Sequence, residues 1–325
     1  MSGARARVGW VLVALVAAFA LAVPYLTSSF YTALVTQLLF FGLLAMSVGL
    51  LGGYTGLMPM GHAAIMGIGA YALGYLITRA HAPMGIAIAG AIAITLVVTL
   101  AFGLMAIRTS GIFFSMITLA QGMLVWGAAY RWYQVTGAEN GLRGIERPFF
   151  AVRYYEYYYL VLAVVAASAL VLWLIVRSPF GLSLQGIRES ESRMRTLGYD
   201  VGLHKLIAFE VSGFFAAVSG LLFGWYNNFI SPASVGLPSS AEAVFMVILG
   251  GAGTLLGPVL GAGVVVFAKN ILSLYLSRWP TIMGLIFVLA VLFARDGLVG
   301  SGRRVAVAAT RRLFHDRLEP QGQGE

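Results

Sequence analysis

The chain has 325 residues, of which 60% are apolar and only 10% charged, against about 25% charged in a soluble domain. Its 21 basic and 12 acidic residues cannot cover a water-soluble surface when long runs carry none, which excludes a soluble enzyme, a nucleic-acid-binding domain and a disordered scaffold and leaves a polytopic membrane protein. The net charge of +9 sits between apolar runs and in the C-terminal tail, where it orients a chain in a membrane, and the lack of cysteine removes disulfides, thiolate chemistry and Cys-ligated metal.

A helix needs about 20 apolar residues to cross roughly 30 Å of hydrocarbon. Ten runs are candidates: 8–27, 30–51, 61–78, 85–107, 112–130, 157–176, 206–227, 238–249, 258–276 and 281–294. The expectation is an all-α transmembrane bundle of 8–10 spans with broken or re-entrant helices, one domain over 1–299, and a basic, disordered tail over 300–325. The first run follows Arg5 and Arg7 and resembles a signal peptide, but an uncleaved first helix is the commoner case in such chains. Between the second and third runs lies Leu51-Gly-Gly-Tyr-Thr-Gly-Leu-Met-Pro-Met-Gly-His-Ala63, which contains Gly52, Gly53, Gly56, Pro59, Gly61 and His62. Polar groups inside runs are Gln37, His62, Gln121 and Glu210, with Asn227 and Asn228 at a span end. Unpaired, such groups are expensive in hydrocarbon, so they are candidates for a solute path. Each also has a packing role available. Gln121 can bond a neighbouring helix, His62 can be hydrogen-bonded beside the break, and Glu210 can pair with Lys205 or reach the interface.

The segment 131–156 reads as a polar and aromatic external loop, with Tyr154, Tyr155 and Tyr157 to Tyr159 as an interfacial belt. The eighth run is short: about twelve residues rise only about 18 Å, which suits a re-entrant half-helix. It leads into Leu249-Gly-Gly-Ala-Gly-Thr-Leu-Leu-Gly-Pro-Val-Leu-Gly-Ala262, an echo of the first interruption that contains Gly250, Gly251, Gly253, Gly257 and Pro258. Paired interruptions in two halves of a chain point to a transporter's solute path. Glycine-rich turns for close helix packing are the other reading. With the N-terminus inside, ten spans put 14 positive residues in the cytoplasm and 7 outside, the latter including Lys269. Both termini are therefore expected inside.

The segment 177–205 is too polar to span. Pro179 and Gly181 are read as ending the preceding span. From Leu182 an amphipathic helix is expected, with Leu184, Ile187, Met194 and Leu197 on one face and a glycine stop at Gly198. It can be an interfacial helix or a docking helix for a soluble partner.

This stretch resembles the cytoplasmic coupling helix of ABC-transporter permeases, whose loose pattern of acidic residues followed by glycine is met by Glu189, Glu191 and Gly198. The fuller set (Ser178-Pro-Phe-Gly181, Ile187-Arg188-Glu189, Gly53-Tyr-Thr-Gly56, Gly61-His-Ala-Ala64, Gly67-Ile-Gly-Ala-Tyr71, Thr118-Leu-Ala120, Thr136-Gly137 with Asn140-Gly141, and Gly257-Pro258) is similar to the permeases of the branched-chain amino acid family, the LivM-like subunit. It departs where related permeases carry polar residues: Leu57-Met58-Pro59-Met60 fills that gap. The resemblance implies a non-enzymatic transport subunit of an ATP-driven importer in a bacterial inner membrane. Its implied partners are a second related permease, two cytoplasmic ATP-binding subunits and an extracytoplasmic solute-binding protein. The chain has no Gly-x-x-x-x-Gly-Lys-Ser/Thr loop, so ATP and Mg would belong to those separate subunits. An ion-coupled secondary transporter and a urea- or amide-type channel are the alternatives.

Overall fold

The computed structural model describes residues 18–276, 278–293 and 297; the start of the first run and the 300–325 tail lie outside the described residues. After a helical stretch over 18–26, the long helices are α1 (Ser29–Gly49), α2 (His62–Thr78), α3 (Met84–Ala106), α4 (Gly111–Arg131) and α5 (Tyr154–Arg177). Two short ones follow, α6 (Pro179–Glu189) and α7 (Glu191–Thr196), then α8 (Val201–Asn227), α9 (Leu237–Gly250), α10 (Gly257–Tyr275) and α11 (Trp279–Phe293). A π-helical turn, Leu50–Thr55, prolongs α1. Six of these helices, counting α1 with its π turn, are long and apolar enough to cross a membrane, and α2, α9 and part of α11 are shorter apolar helices. The protein is a polytopic all-α bundle.

Sequence punctuation sets the helix ends. Pro83 precedes α3 in an extended conformation, Pro238 and Pro258 sit in the first turns of α9 and α10, where a missing N–H costs nothing, and Glu156 accepts a 3.0 Å bond from the Arg153 backbone N–H at the start of α5. Packing then depends on small residues, because lipid gives apolar helices little reason to associate. A Cβ on Gly220 would strike the backbone of Met66, one on Gly69 would come within 3.0 Å of the Ala217 carbonyl oxygen, and one on Gly213 would strike Thr99. In this way α8 is drawn against α2 and α3. The core lies among α1, α2 and α8, with Phe40, Leu43, Ala70, Leu73, Phe215 and Leu222 buried together.

A feature with no apolar-run signature ties two loops. Strands β1 (Leu142–Arg143) and β2 (Phe229–Ile230) pair antiparallel, Leu142 opposite Ile230, and Ile145 and Ile230 are buried in the core. This ladder marks one end of the bundle; α6 and α7 mark the other, charged end. Helix α1 runs between them: Tyr154 Oη donates to the Ser29 carbonyl at 3.0 Å near one end, and Arg188 donates to the Gly53 carbonyl near the other. After β2 a 3-10 turn, Pro232–Val235, brings the Val235 side chain against Gly67, about 16 Å along α2 from its ladder end. The chain thus dips back into the bundle before α9 begins, and α9, with 14 residues, is short for a span, as the eighth run was.

Four expectations are corrected. Helix α5 does end just before Pro179, at Arg177, but Gly181 takes no part in ending it: only Ser178 separates α5 from α6, which opens at Pro179 rather than Leu182, with Ser178 Oγ accepting from Gly181 N–H. The expected single helix from Leu182 is broken at Ser190, which caps α7 by accepting from Arg193 N–H. Tyr157 and Tyr158 are fully buried rather than part of a surface belt; Tyr157 Oη donates to the Leu222 carbonyl and Tyr158 Oη to that of Ala20. Lys269, counted as an external charge, lies within α10 and pairs with Glu242 of α9.

Candidate functional site

At the charged end, α6 buries Gly181, Ser183, Leu184 and Ile187 and turns its other side outward. Met194 of α7 packs on Ile187 and Val201, closing a small apolar cluster under the pair. Leu197, expected on that face, is 66% exposed, because Gly198 (φ +87°) reverses the chain there. Glu189 is exposed and near Arg193 at 4.0 Å. Glu191 differs: it pairs with Lys205, which is 3% exposed, as well as with Arg195 at 3.8 Å. So Glu191 anchors α7 to α8, while Glu189, Leu182 and Leu197 face outward.

The same pair is fastened to the first helix break. Arg188 reaches from α6 to the carbonyl of Gly53 in the π turn, a charge-assisted bond to a carbonyl that the altered helical register leaves accessible. Gly56 follows with φ +75° and lies against the Arg188 side chain. The irregular stretch 57–61 then follows α4: Ser115 Oγ donates to the Met58 carbonyl at 2.7 Å, and Met60 N–H donates to Thr118 Oγ1 at 3.0 Å. Pro59 within this stretch offers no donor of its own. Gly61 lets the chain touch the Thr118 carbonyl and Gly122 before α2 starts.

The two glycine-rich breaks meet. A Cβ on Gly53 would strike the carbonyl oxygen of Ala252, and Gly49 lies against Pro258. Within the second break Gly250, Gly257 and Gly251 pack on one another's backbones, Gly251 with φ +100°, whereas Gly253 faces open space. Gly52 meets only the flexible end of Met58. The internal echo in the sequence is therefore a contact in space.

The polar residues divide into three groups. His62 Nε2 lies 2.6 Å from Ser212 Oγ, which itself donates to the Ser47 carbonyl at 2.6 Å, so Nε2 carries the proton and Nδ1 is left without a partner. Gln121 donates to the Phe102 carbonyl of α3 at 3.0 Å, a helix-to-helix bond. Glu210 does not pair with Lys205, which is taken by Glu191; one Glu210 oxygen is buried without a partner. Gln37 opens on a cavity of about 230 Å³, where it donates to Tyr226 Oη at 3.1 Å and accepts from Asn270 at 3.0 Å. Sequence reasoning missed Tyr226, Glu242, Lys269 and Asn270 in this wall. The adjacent pair Lys269-Asn270 inside an apolar run was the available signal.

The comparisons agree with this architecture. The chain is 26% identical to the high-affinity branched-chain amino acid transport system permease protein LivM of Salmonella typhimurium over 311 residues, covering 86% of this chain and 72% of the relative. It is 27% identical to LivM of Escherichia coli K12, covering 88% and 74%. The autoinducer 2 import system permease protein LsrC of Klebsiella pneumoniae is 30% identical over 210 residues, covering 62% of this chain and 58% of that protein. No solved structure matches. Residues 30–295 match the family described as branched-chain amino acid transport system, permease component. With its broken helices in contact and a charged helix pair fastened to one of them, the chain belongs to that family of transport permeases.

Proposed function

We propose that this chain is the membrane-spanning permease subunit of an ATP-driven importer for branched-chain or related amino acids. In this reading it lines the path with a second related permease, receives solute from an extracytoplasmic binding protein, and is driven by two cytoplasmic subunits that hold ATP and Mg. It sits in a bacterial inner membrane, surrounded by lipid, with both termini in the cytoplasm. The solute class is supported by the LivM relatives, which align with most of the chain.

One observation carries the reading: the line of contact from Arg188 to Gly53 and from Gly53 to Ala252. ATPase closure against the exposed side of α6 and α7 would move Arg188, the π turn would follow, and the second break would be displaced with it. A merely interfacial helix has no need of a charged side chain fastened to a helix break.

The test alters only the outward face. Glu189→Lys with Leu197→Asp leaves the Glu191–Lys205 anchor in place. The variant is expected to insert and pair with its partner permease, yet to lose the ATPases on purification and to lose ATP-driven leucine uptake in vesicles. Uptake at the wild-type rate would reject the coupling role. Solute flux through the wild-type chain with no nucleotide-hydrolysing partner present would reject the whole reading in favour of a secondary transporter or channel.

A further inference from the structure

One ion pair lies among the apolar helices and takes no part in the contacts traced above. Glu242 stands in the second turn of α9 and Lys269 well inside α10. Lys269 Nζ donates to both Glu242 oxygens, at 2.9 and 3.0 Å, and lies 5.4 Å from the centre of the Trp279 ring. The bridge is not sealed: 40% of the lysine side chain and 22% of the glutamate side chain are exposed.

What they are exposed to is specific. Two cavities, of about 230 and 220 Å³, share Phe41, Phe223, Glu242 and Lys269 in their walls. The first also carries the polar groups of Gln37, Tyr226 and Asn270. A third, of about 450 Å³, also has Glu242 in its wall, together with Phe245, Leu249, Val265, Met283 and Phe287. One positive and one negative charge therefore sit where polar space meets apolar space. Packing alone does not call for this, since an apolar pair of the same volume holds two helices as well or better.

We propose that Glu242 and Lys269 form a zwitterion station in the solute path. This rests on the importer reading given above. A carboxylate only accepts hydrogen bonds and an ammonium only donates, so Glu242 takes the ammonium of an amino acid and Lys269 its carboxylate, while an apolar side chain enters the larger cavity. The bridge is the empty state, in which the two charges neutralise each other. A zwitterion replaces each partner with its own, so no unpaired charge is left in a low-dielectric site. A solute with one charge would strand the other wall. Lys269 and Glu242 thus select for the amino-acid head group itself, independently of the side chain.

The experiment measures ATP-driven uptake of radiolabelled L-leucine in vesicles holding the full complex, divided by the assembled complex recovered from the same vesicles. Glu242→Lys with Lys269→Glu keeps the bridge but exchanges its ends, so a bound leucine must point its side chain away from the apolar cavity. Glu242→Gln with Lys269→Gln keeps the shape and one hydrogen bond but removes both charges. Both variants are expected to melt close to the wild type and to lose about ten- to a hundredfold in uptake per complex. Wild-type uptake per complex in either variant overturns the station and leaves a structural clamp. Should the exchanged pair fail to assemble, the glutamine pair decides on the same criterion. Absence of uptake of leucine and of every other amino acid by the wild-type complex overturns the importer reading, and the station with it.

Discussion

Small hydroxyls tie the helices of this bundle together, and their worth depends on what they leave behind when removed. Ser219 Oγ donates to the Phe40 carbonyl at 2.7 Å, joining α8 to α1. That carbonyl belongs to a helix, so losing the bond removes a contact without stranding a buried group, at about 0.6 kcal/mol for an interhelical bond in a membrane protein. Ser212 is different, because it receives the His62 Nε2 proton while donating to Ser47. Ser212→Ala leaves a buried imidazole N–H with no acceptor, and the loss is expected at about 1–3 kcal/mol. Thermal unfolding of the two variants in lipid nanodiscs checks the order: Ser212→Ala should melt well below Ser219→Ala, and equal melting would mean that His62 finds another acceptor. At this scale the sequence was only half legible. His62 beside the break and Gln121 between helices are hydrogen-bonded as one of their two readings anticipated. Glu210 was not, because spacing along one helix suggested Lys205 as its partner, and Glu191 from another helix reaches that lysine first. A contact between residues 14 apart across a turn leaves no periodic trace.

Among the elements, apolar runs located the long helices well, since a bilayer demands a continuous apolar length that few other structures need. The breaks were legible as glycine and proline, and their kinship as an internal echo. What was not legible is their contact. It rests on Gly53 having no Cβ where the Ala252 carbonyl passes, a matter of three-dimensional approach. The break in α6–α7 was equally hidden. Ser190 reads as one more polar residue in a polar stretch, and only its capping of α7 shows a second helix start. The β1–β2 ladder joins two-residue strands 87 positions apart, too short for any alternation to register. A paired substitution tests the meeting of the breaks. Gly53→Ala forces a methyl into a backbone carbonyl and is expected to cost about 1–3 kcal/mol, as overpacking does. Gly253→Ala, in open space with an ordinary backbone conformation, is expected to be neutral or to stabilise by about 0.4–1 kcal/mol. Melting temperatures of the two variants should therefore move apart. If they fall together, the breaks are not pressed against one another in the membrane.

At the scale of the whole molecule the two ends of the bundle differ in kind. One carries the β1–β2 ladder with the exposed aromatic residues Phe149 and Trp132, and the other carries α6 and α7 with their arginines. Moving Lys269 into the bundle takes one charge from the seven counted outside and leaves the 14 inside untouched, so the positive-inside asymmetry grows. On that rule the charged end is expected to face the cytoplasm and the ladder end the outside, without reference to any relative. The chain contains no cysteine, so single thiols can be placed on it with no background to remove. Phe149→Cys puts one at a side chain 88% exposed on the ladder end, and Leu197→Cys puts one at a side chain 66% exposed on the charged end. In intact cells a membrane-impermeant maleimide is expected to label the first and spare the second, and detergent should make both reactive. The reverse pattern would invert the bundle. It would place α6 and α7 where no ATP-hydrolysing subunit can reach them, whatever the quality of the contact between Arg188 and Gly53.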